Sequence, residues 1–305
     1  MLFKTEKEVR AEIVDVCLRI YRNGWVASND GNVSVLIEDN VAICTPTGVS
    51  KGDITPDMLI KVDIDGNKLE GEKELKPSSE IKMHLDILKN KEGVNSVVHA
   101  HPPFSTAFAV AGVPLDECIL PEIVISLGQI PLTKYGTPST FEIPENVREH
   151  LKDNFVFLLE NHGALSTGSD VYQAYYRMES MELFAKINFL ARQIGKVNVI
   201  DENNVKKLLK LRSEWGMDTE NYPGCRIGDR VINYSNLENN KSSNIAGDDN
   251  TSSSNNNVSI GLSSSGSFLK NIEAKEQDDK IILTKKQLTE IVETVVKNIL
   301  KEISR

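Results

Sequence analysis

The residues best able to do chemistry are a few imidazoles, two hydroxyls and a carboxylate. His99 and His101 stand one residue apart in the stretch SVVHAHPP, in a chain that holds five histidines. Ser96, Val97 and Val98 favour a strand, and Pro102 and Pro103 end it. Side chains of a strand alternate between faces, so His99 and His101 point the same way. That suits two ligands of one metal ion; it also suits two half-buried polar residues at a strand end. His162, in LLENHGAL, closes an apolar strand beside Gly163. Alone it reads as a hydrogen-bonded buried histidine. Two histidines from one strand and a third from another make a three-His site with open positions, the build of catalytic rather than structural zinc. Upstream, KPSSE places Ser78, Ser79 and Glu80 where a loop enters a helix. Hydroxyls and main-chain N–H groups there can take an anion, and the same letters are an ordinary helix start. NDGNVSV and TPTGVSKG are two further glycine-containing loops with the composition of turns.

The elements that must position these groups follow from periodicity. Residues 6 to 22 read as an amphipathic helix, with Val9, Ile13, Val16, Leu18 and Ile20 among its apolar positions. The runs NVSVLI, VAICT and LIKVDID read as strands between Gly and Pro punctuation. SSEIKMHLDILKN returns to a helical period. The His-bearing strand follows, then a helix from about Phe104 to Val110, the strand FVFLLE, and long helices near 170–193 and 202–214. Interleaved strands and helices predict an α/β or α+β domain around a central sheet.

A chain of 305 residues with net charge -9 argues against DNA or RNA as a partner. Cys17, Cys44, Cys118 and Cys225 form no C-x-x-C, so neither a disulfide framework nor a thiolate zinc site is expected, and a reducing cytoplasm fits them. The first residues are charged and helical rather than leader-like, and no run approaches a membrane span. After about Gly224 the composition turns to Asn, Ser and Gly, too apolar-poor to offset the entropy of ordering, and reads as a tether. Then LTKKQLTEIVETVVKNILKEISR carries Thr284 and Gln287 as a capping box and an apolar stripe of Leu288, Ile291, Val292, Val295, Ile299 and Ile303. Such a helix can dock in a partner groove, or pack on its own body or on a second copy.

Five motifs in order carry a resemblance: G-N-V-S at 31–34, T-P-T-G at 45–48, P-S-S-E at 77–80, H-x-H at 99–101 and N-H-G at 161–163. The chain resembles class II aldolases of the fuculose-phosphate aldolase and ribulose-phosphate epimerase group, which includes adducin head domains. The likeness spans about residues 5 to 217. It implies one three-layer α/β (α+β) domain over residues 1–225, with a central, mainly antiparallel sheet flanked by helices. A linker over 226–280 and a docking helix over 281–305 follow. The likeness implies that His99, His101 and His162 bind one zinc ion per subunit, that Asn32, Thr47, Gly48, Ser78 and Ser79 hold a substrate phosphate, and that Glu80 is the acid/base.

The expected activity is retro-aldol cleavage of L-fuculose 1-phosphate, or a related ketose 1-phosphate, to dihydroxyacetone phosphate and lactaldehyde. Alternatives are a pentulose-5-phosphate 4-epimerase and a non-catalytic, adducin-like binding protein. Fuculose-phosphate aldolases carry a tyrosine after the H-x-H helix where this chain has Leu120, with Glu122 its only nearby acid. They carry a second near the end of the body, where Trp215 and Tyr222 occur. The likeness also implies a homotetramer. The tether and terminal helix resemble encapsulation peptides, implying cytoplasmic cargo of a bacterial microcompartment that contacts shell or cargo proteins.

Overall fold

The computed structural model describes residues 4–217 and 219–234, with the backbone alone of 275–277 and 280–282. The first helix, α1 (Glu6–Arg22), starts in a capping box: Thr5 accepts from the Glu8 N–H, and Glu8 accepts from that of Thr5. Its buried face is Val9, Ile13, Val16, Cys17 and Ile20. Cys17 thus takes the place expected of Leu18, because positions three and four after Ile13 share its face.

One eight-stranded sheet organises the body, in the order β4-β3-β2-β1-β5-β8-β7-β6. The strands are β1 (Asn32–Glu38), β2 (Val41–Cys44), β3 (Ile60–Asp63), β4 (Lys68–Glu70), β5 (Ser96–Ala100), β6 (Leu132–Thr133), β7 (Val156–Leu159) and β8 (Gly163–Gly168). Every neighbouring pair is antiparallel except β6 with β7. The strand alternation feeds two cores. Val33, Val98, Leu158 and Ala164 face a layer that holds α1, α3 (Pro103–Ala111) and α6 (Val171–Ile194). Val97, Phe157, Leu159 and Leu165 face α2 (Ile81–Asn90) and α5 (Glu142–Leu151). Complete burial of a side chain such as Phe157 stabilises by about 1.5–3 kcal/mol. The three-layer, mainly antiparallel architecture expected from the sequence is what the chain adopts.

A third, smaller cluster joins α4 (Pro121–Ser126), α7 (Glu202–Glu214) and a hairpin of β9 (Cys225–Ile227) with β10 (Arg230–Ile232). Two expectations are corrected here. The ordered body runs past residue 225: the I-G-D-R turn, with Gly228 at φ +59°, folds a hairpin inside the stretch assigned to the linker. And Cys118 pairs with Cys225 in a disulfide, while Cys17 and Cys44 stay as buried thiols. The main chain brings that pair together, because Glu117 and Arg226 form a β-bridge that leaves the flanking Cα atoms 5.2 Å apart.

Within the second unit, Ile245–Arg305, a two-stranded antiparallel hairpin joins β11 (Lys275–Gln277) to β12 (Lys280–Ile282). It crosses the expected boundary between linker and helix, where Ile281 and Ile282 favour extended chain. The expected docking-helix residues Leu288, Ile291, Val292, Val295, Ile299 and Ile303 lie outside the described residues. No helix among the described residues is long and apolar enough to cross a membrane.

Candidate metal centre and anion cleft

The pairing of β1, β5 and β8 sets the centre. Asn32 pairs with His99 across β1 and β5, and His99 pairs with Leu165 across β5 and β8. His101 lies one residue past β5, and its N–H donates to Trp25 O at 2.8 Å. The following α3 is held by Glu182, whose carboxylate accepts from the N–H groups of Phe104 and Ser105 at 2.9 and 2.8 Å. His162 sits in the turn between β7 and β8. Asn161 enters that turn at φ +53°, a left-handed conformation that asparagine tolerates. A Cβ on Gly163 would stand 2.5 Å from His101 Cδ2 and 2.8 Å from Ala100 O, so only glycine lets the His101 ring lie here.

The three imidazoles converge. Ring centroids are 5.0 Å apart for His99 and His101, 4.7 Å for His99 and His162, and 5.4 Å for His101 and His162. One ring nitrogen from each lies within 4.8 Å of the others. Glu80, just before α2, reaches between them. Its two oxygens stand 3.3 Å from His99 Nε2 and 3.3 Å from His162 Nε2.

His99 fixes the chemistry of the group. Its Nδ1 lies 2.9 Å from Ala164 O, which only accepts, so Nδ1 carries the proton and Nε2 presents a lone pair. Complete burial first, then the neighbouring His162 and His101, hold its pKa well below the usual imidazole value. A neutral lone pair therefore faces a carboxylate oxygen. His99 Nε2, His101 Nε2, His162 Nδ1 and Glu80 Oε1 are buried without a hydrogen-bond partner among the described residues. Two acceptors in apposition are reconciled by a proton or a cation between them, and three imidazoles beside a carboxylate are a donor set that suits a borderline divalent ion such as zinc. Burial lowers the His162 pKa too, with Glu80 opposing it. The residues present fit a metal.

The cleft above this centre is lined by Asn29, Asp30, Gly31, Asn32, Pro46, Thr47, Ser78, Ser79, Glu80, His101, Pro138 and His162. Gly48 adjoins Thr47 but does not line it. The rim is stitched by main-chain bonds from Thr47 N–H to Lys76 O at 2.9 Å and from Ser78 N–H to Thr45 O at 3.1 Å. Those donors are occupied, so an anion here would meet the hydroxyls of Thr47, Ser78 and Ser79.

Asn32 lines the cleft, and its amide donates both hydrogens inward, to Ser78 Oγ at 3.0 Å and to Glu80 Oε2 at 3.1 Å. It thereby holds the carboxylate in place. His84, buried on α2, bonds Ser34 through Nδ1 at 2.8 Å, and burial pushes its pKa down to about 3. His150 is half-buried on α5 and does not line the cleft.

None of the four residues at the missing tyrosine positions lines the cleft. Leu120 packs toward the core, Glu122 is exposed on α4, and Trp215 is 64 % exposed. Tyr222 is buried and donates its hydroxyl to Val124 O. Asn29, Asp30, Pro46 and Pro138 were not marked out by type or spacing, although NDGN and TPTG had marked the loops of the first three as turns.

The family described as Class II Aldolase and Adducin N-terminal domain matches residues 11–189. The L-fuculose phosphate aldolase of Methanococcus maripaludis is 33% identical over 183 residues, covering 60% of this chain and 97% of that one. A 3-oxo-tetronate 4-phosphate decarboxylase of Escherichia coli is 34% identical over 191 residues, covering 61% and 89%. The solved structure of YgbL from Escherichia coli superposes with a TM-score of 0.61 at 30% identity, covering 67% of this chain and 99% of that one.

Proposed function

The chain belongs to the class II aldolase and adducin family, as one of its lyases, and we propose that it cleaves L-fuculose 1-phosphate to dihydroxyacetone phosphate and lactaldehyde with one zinc ion per subunit. The observation that carries this reading is the lone pair of His99 facing Glu80 inside a ring of three imidazoles, beside a hydroxyl-lined rim. In this reading Thr47, Ser78 and Ser79 anchor the phosphate at the rim, and Gly48, at φ +75°, turns the loop that presents Thr47. A divalent cation at the imidazoles supplies Lewis acidity toward the substrate's carbonyl oxygen. When the C3–C4 bond breaks, its electron pair stays with C3 and the C4 hydroxyl proton passes to solvent water as the aldehyde leaves. Glu80, fixed by Asn32, takes a proton from solvent and delivers it to C3. A non-catalytic, adducin-like role is disfavoured because every one of these groups is in place.

A second reading, decarboxylation of a 3-oxo acid phosphate, rests on the leaving-group side. Carbon dioxide departs without needing a general base, and no tyrosine hydroxyl lines the cleft among the described residues. Loss of carbon dioxide from 3-oxo-tetronate 4-phosphate leaves the same three-carbon enediolate phosphate. Pentulose-5-phosphate 4-epimerisation asks for acid/base groups on the aldehyde side, and Asp30 is the one lining carboxylate besides Glu80.

The decisive experiment supplies zinc-loaded protein with either substrate, measures dihydroxyacetone phosphate and identifies the co-product, with Glu80→Gln as control. Lactaldehyde from L-fuculose 1-phosphate supports the aldolase, carbon dioxide from the keto acid supports the second reading, and neither product overturns both.

We also propose that the protein is a homotetramer, a reading supported by Leu183, Ile187 and Leu190, which α6 leaves 57%, 36% and 45% exposed. The terminal segment is proposed as the docking element of microcompartment cargo, on its sequence pattern. Sizing chromatography tests the first; deletion of residues 281–305 tests the second, with loss of shell association at unchanged activity as the expected result.

A further inference from the structure

Lys51 is 1% exposed, a rare position for an ammonium. Its Nζ donates to Asn29 O at 3.1 Å and to Val49 O at 2.9 Å. One acceptor belongs to the NDGN loop and the other to the TPTG loop, so a single side chain joins the two loops that supply Asn29, Asp30, Pro46 and Thr47 to the cleft. No carboxylate lies within ion-pair distance of it among the described residues. The buried Cys17 thiol beside it is no counter-charge, since burial pushes its pKa up to about 12. Burial lowers the Lys51 pKa, and Asp30, which opposes that shift, has its side chain 45% exposed and turned to His101 at 3.6 Å. A charge buried on carbonyl dipoles alone is costly unless something else compensates it.

We propose that Lys51 is a positioning residue for the anion rim, joining its two loops and placing a fixed positive charge behind the cleft that the substrate phosphate neutralises. The proposal rests on the reading of this rim as a phosphate site. Lys51 touches no reacting atom; it acts through the Asn29 and Val49 carbonyls and through its field in a region of low dielectric.

The test is calorimetric titration of inorganic phosphate, and separately of unphosphorylated dihydroxyacetone, into zinc-loaded full-length protein and its Lys51→Met variant. The expected result is a loss of roughly tenfold or more in phosphate affinity, with zinc content and dihydroxyacetone affinity unchanged. Unchanged phosphate affinity in Lys51→Met overturns the proposal while leaving the rim reading intact. Equal losses for both probes overturn it in favour of a purely structural pin. Failure of the wild type to bind phosphate overturns the rim reading and this proposal with it. Should Lys51→Met not fold, wild-type protein carrying 13C-labelled lysine answers the same question. The Lys51 ε-carbon resonance is expected to move with the calorimetric midpoint, and a resonance that stays fixed overturns the proposal.

Discussion

The two sides of the cleft are built to different standards. On the metal and anion side, the groups are held in place: His99 by β-pairing and Ala164 O, Glu80 by the Asn32 amide, the rim by crossed main-chain bonds. On the leaving-group side, Leu120 packs inward and Tyr222 is engaged with Val124 O. On the proposed reading, the contrast separates how an electron pair is received at one carbon, which the scaffold specifies, from what departs, which it leaves open.

The largest blow to the well-built side is Glu80→Gln. Removing the proton carrier is expected to lower dihydroxyacetone phosphate release by about 10²–10⁴-fold while zinc stoichiometry by elemental analysis changes far less. Gly163→Ala comes next. Its new Cβ must displace the His101 ring or the Ala100 carbonyl, so zinc affinity and activity fall together.

A smaller effect separates the centre's support from its chemistry. His84 is neutral and buried with a pKa near 3, against about 6.5 for an exposed imidazole, so the unfolded chain binds more protons between those values. Stability is therefore fully present above pH 6.5 and falls as pH drops, by up to about 1.4 kcal/mol per pH unit through that window. Acid titration of the melting temperature is expected to show this slope, shallower in His84→Gln. Smallest of all, Tyr222→Phe is expected to cost about 1 kcal/mol of stability, through the bond to Val124 O, and leave turnover unchanged. A large fall in turnover would mean that the leaving-group side does hold a working tyrosine.

Local signals made much of this legible. The alternation of a strand announced His99 and His101, and the apolar period announced α1 almost to the residue. What was not legible depended on distant partners. The tether from Asn32 to Glu80 spans 48 positions, and the Cys118–Cys225 bridge spans 107, so neither leaves a local trace. The β9–β10 hairpin escaped notice because two three-residue strands offer too little alternation against a polar background. Nothing local marks Lys51, since only the fold buries it.

On the proposed reading, Glu80 and the three-histidine centre move a proton at the carbon that receives the electron pair, whatever group leaves. Proton NMR of dihydroxyacetone phosphate in deuterated water, with zinc-loaded protein and no second substrate, tests it most directly. The expected result is exchange of one hydroxymethyl hydrogen for deuterium, abolished in Glu80→Gln and by chelation of the metal. A spectrum that shows no exchange, or exchange indifferent to Glu80, would contradict it.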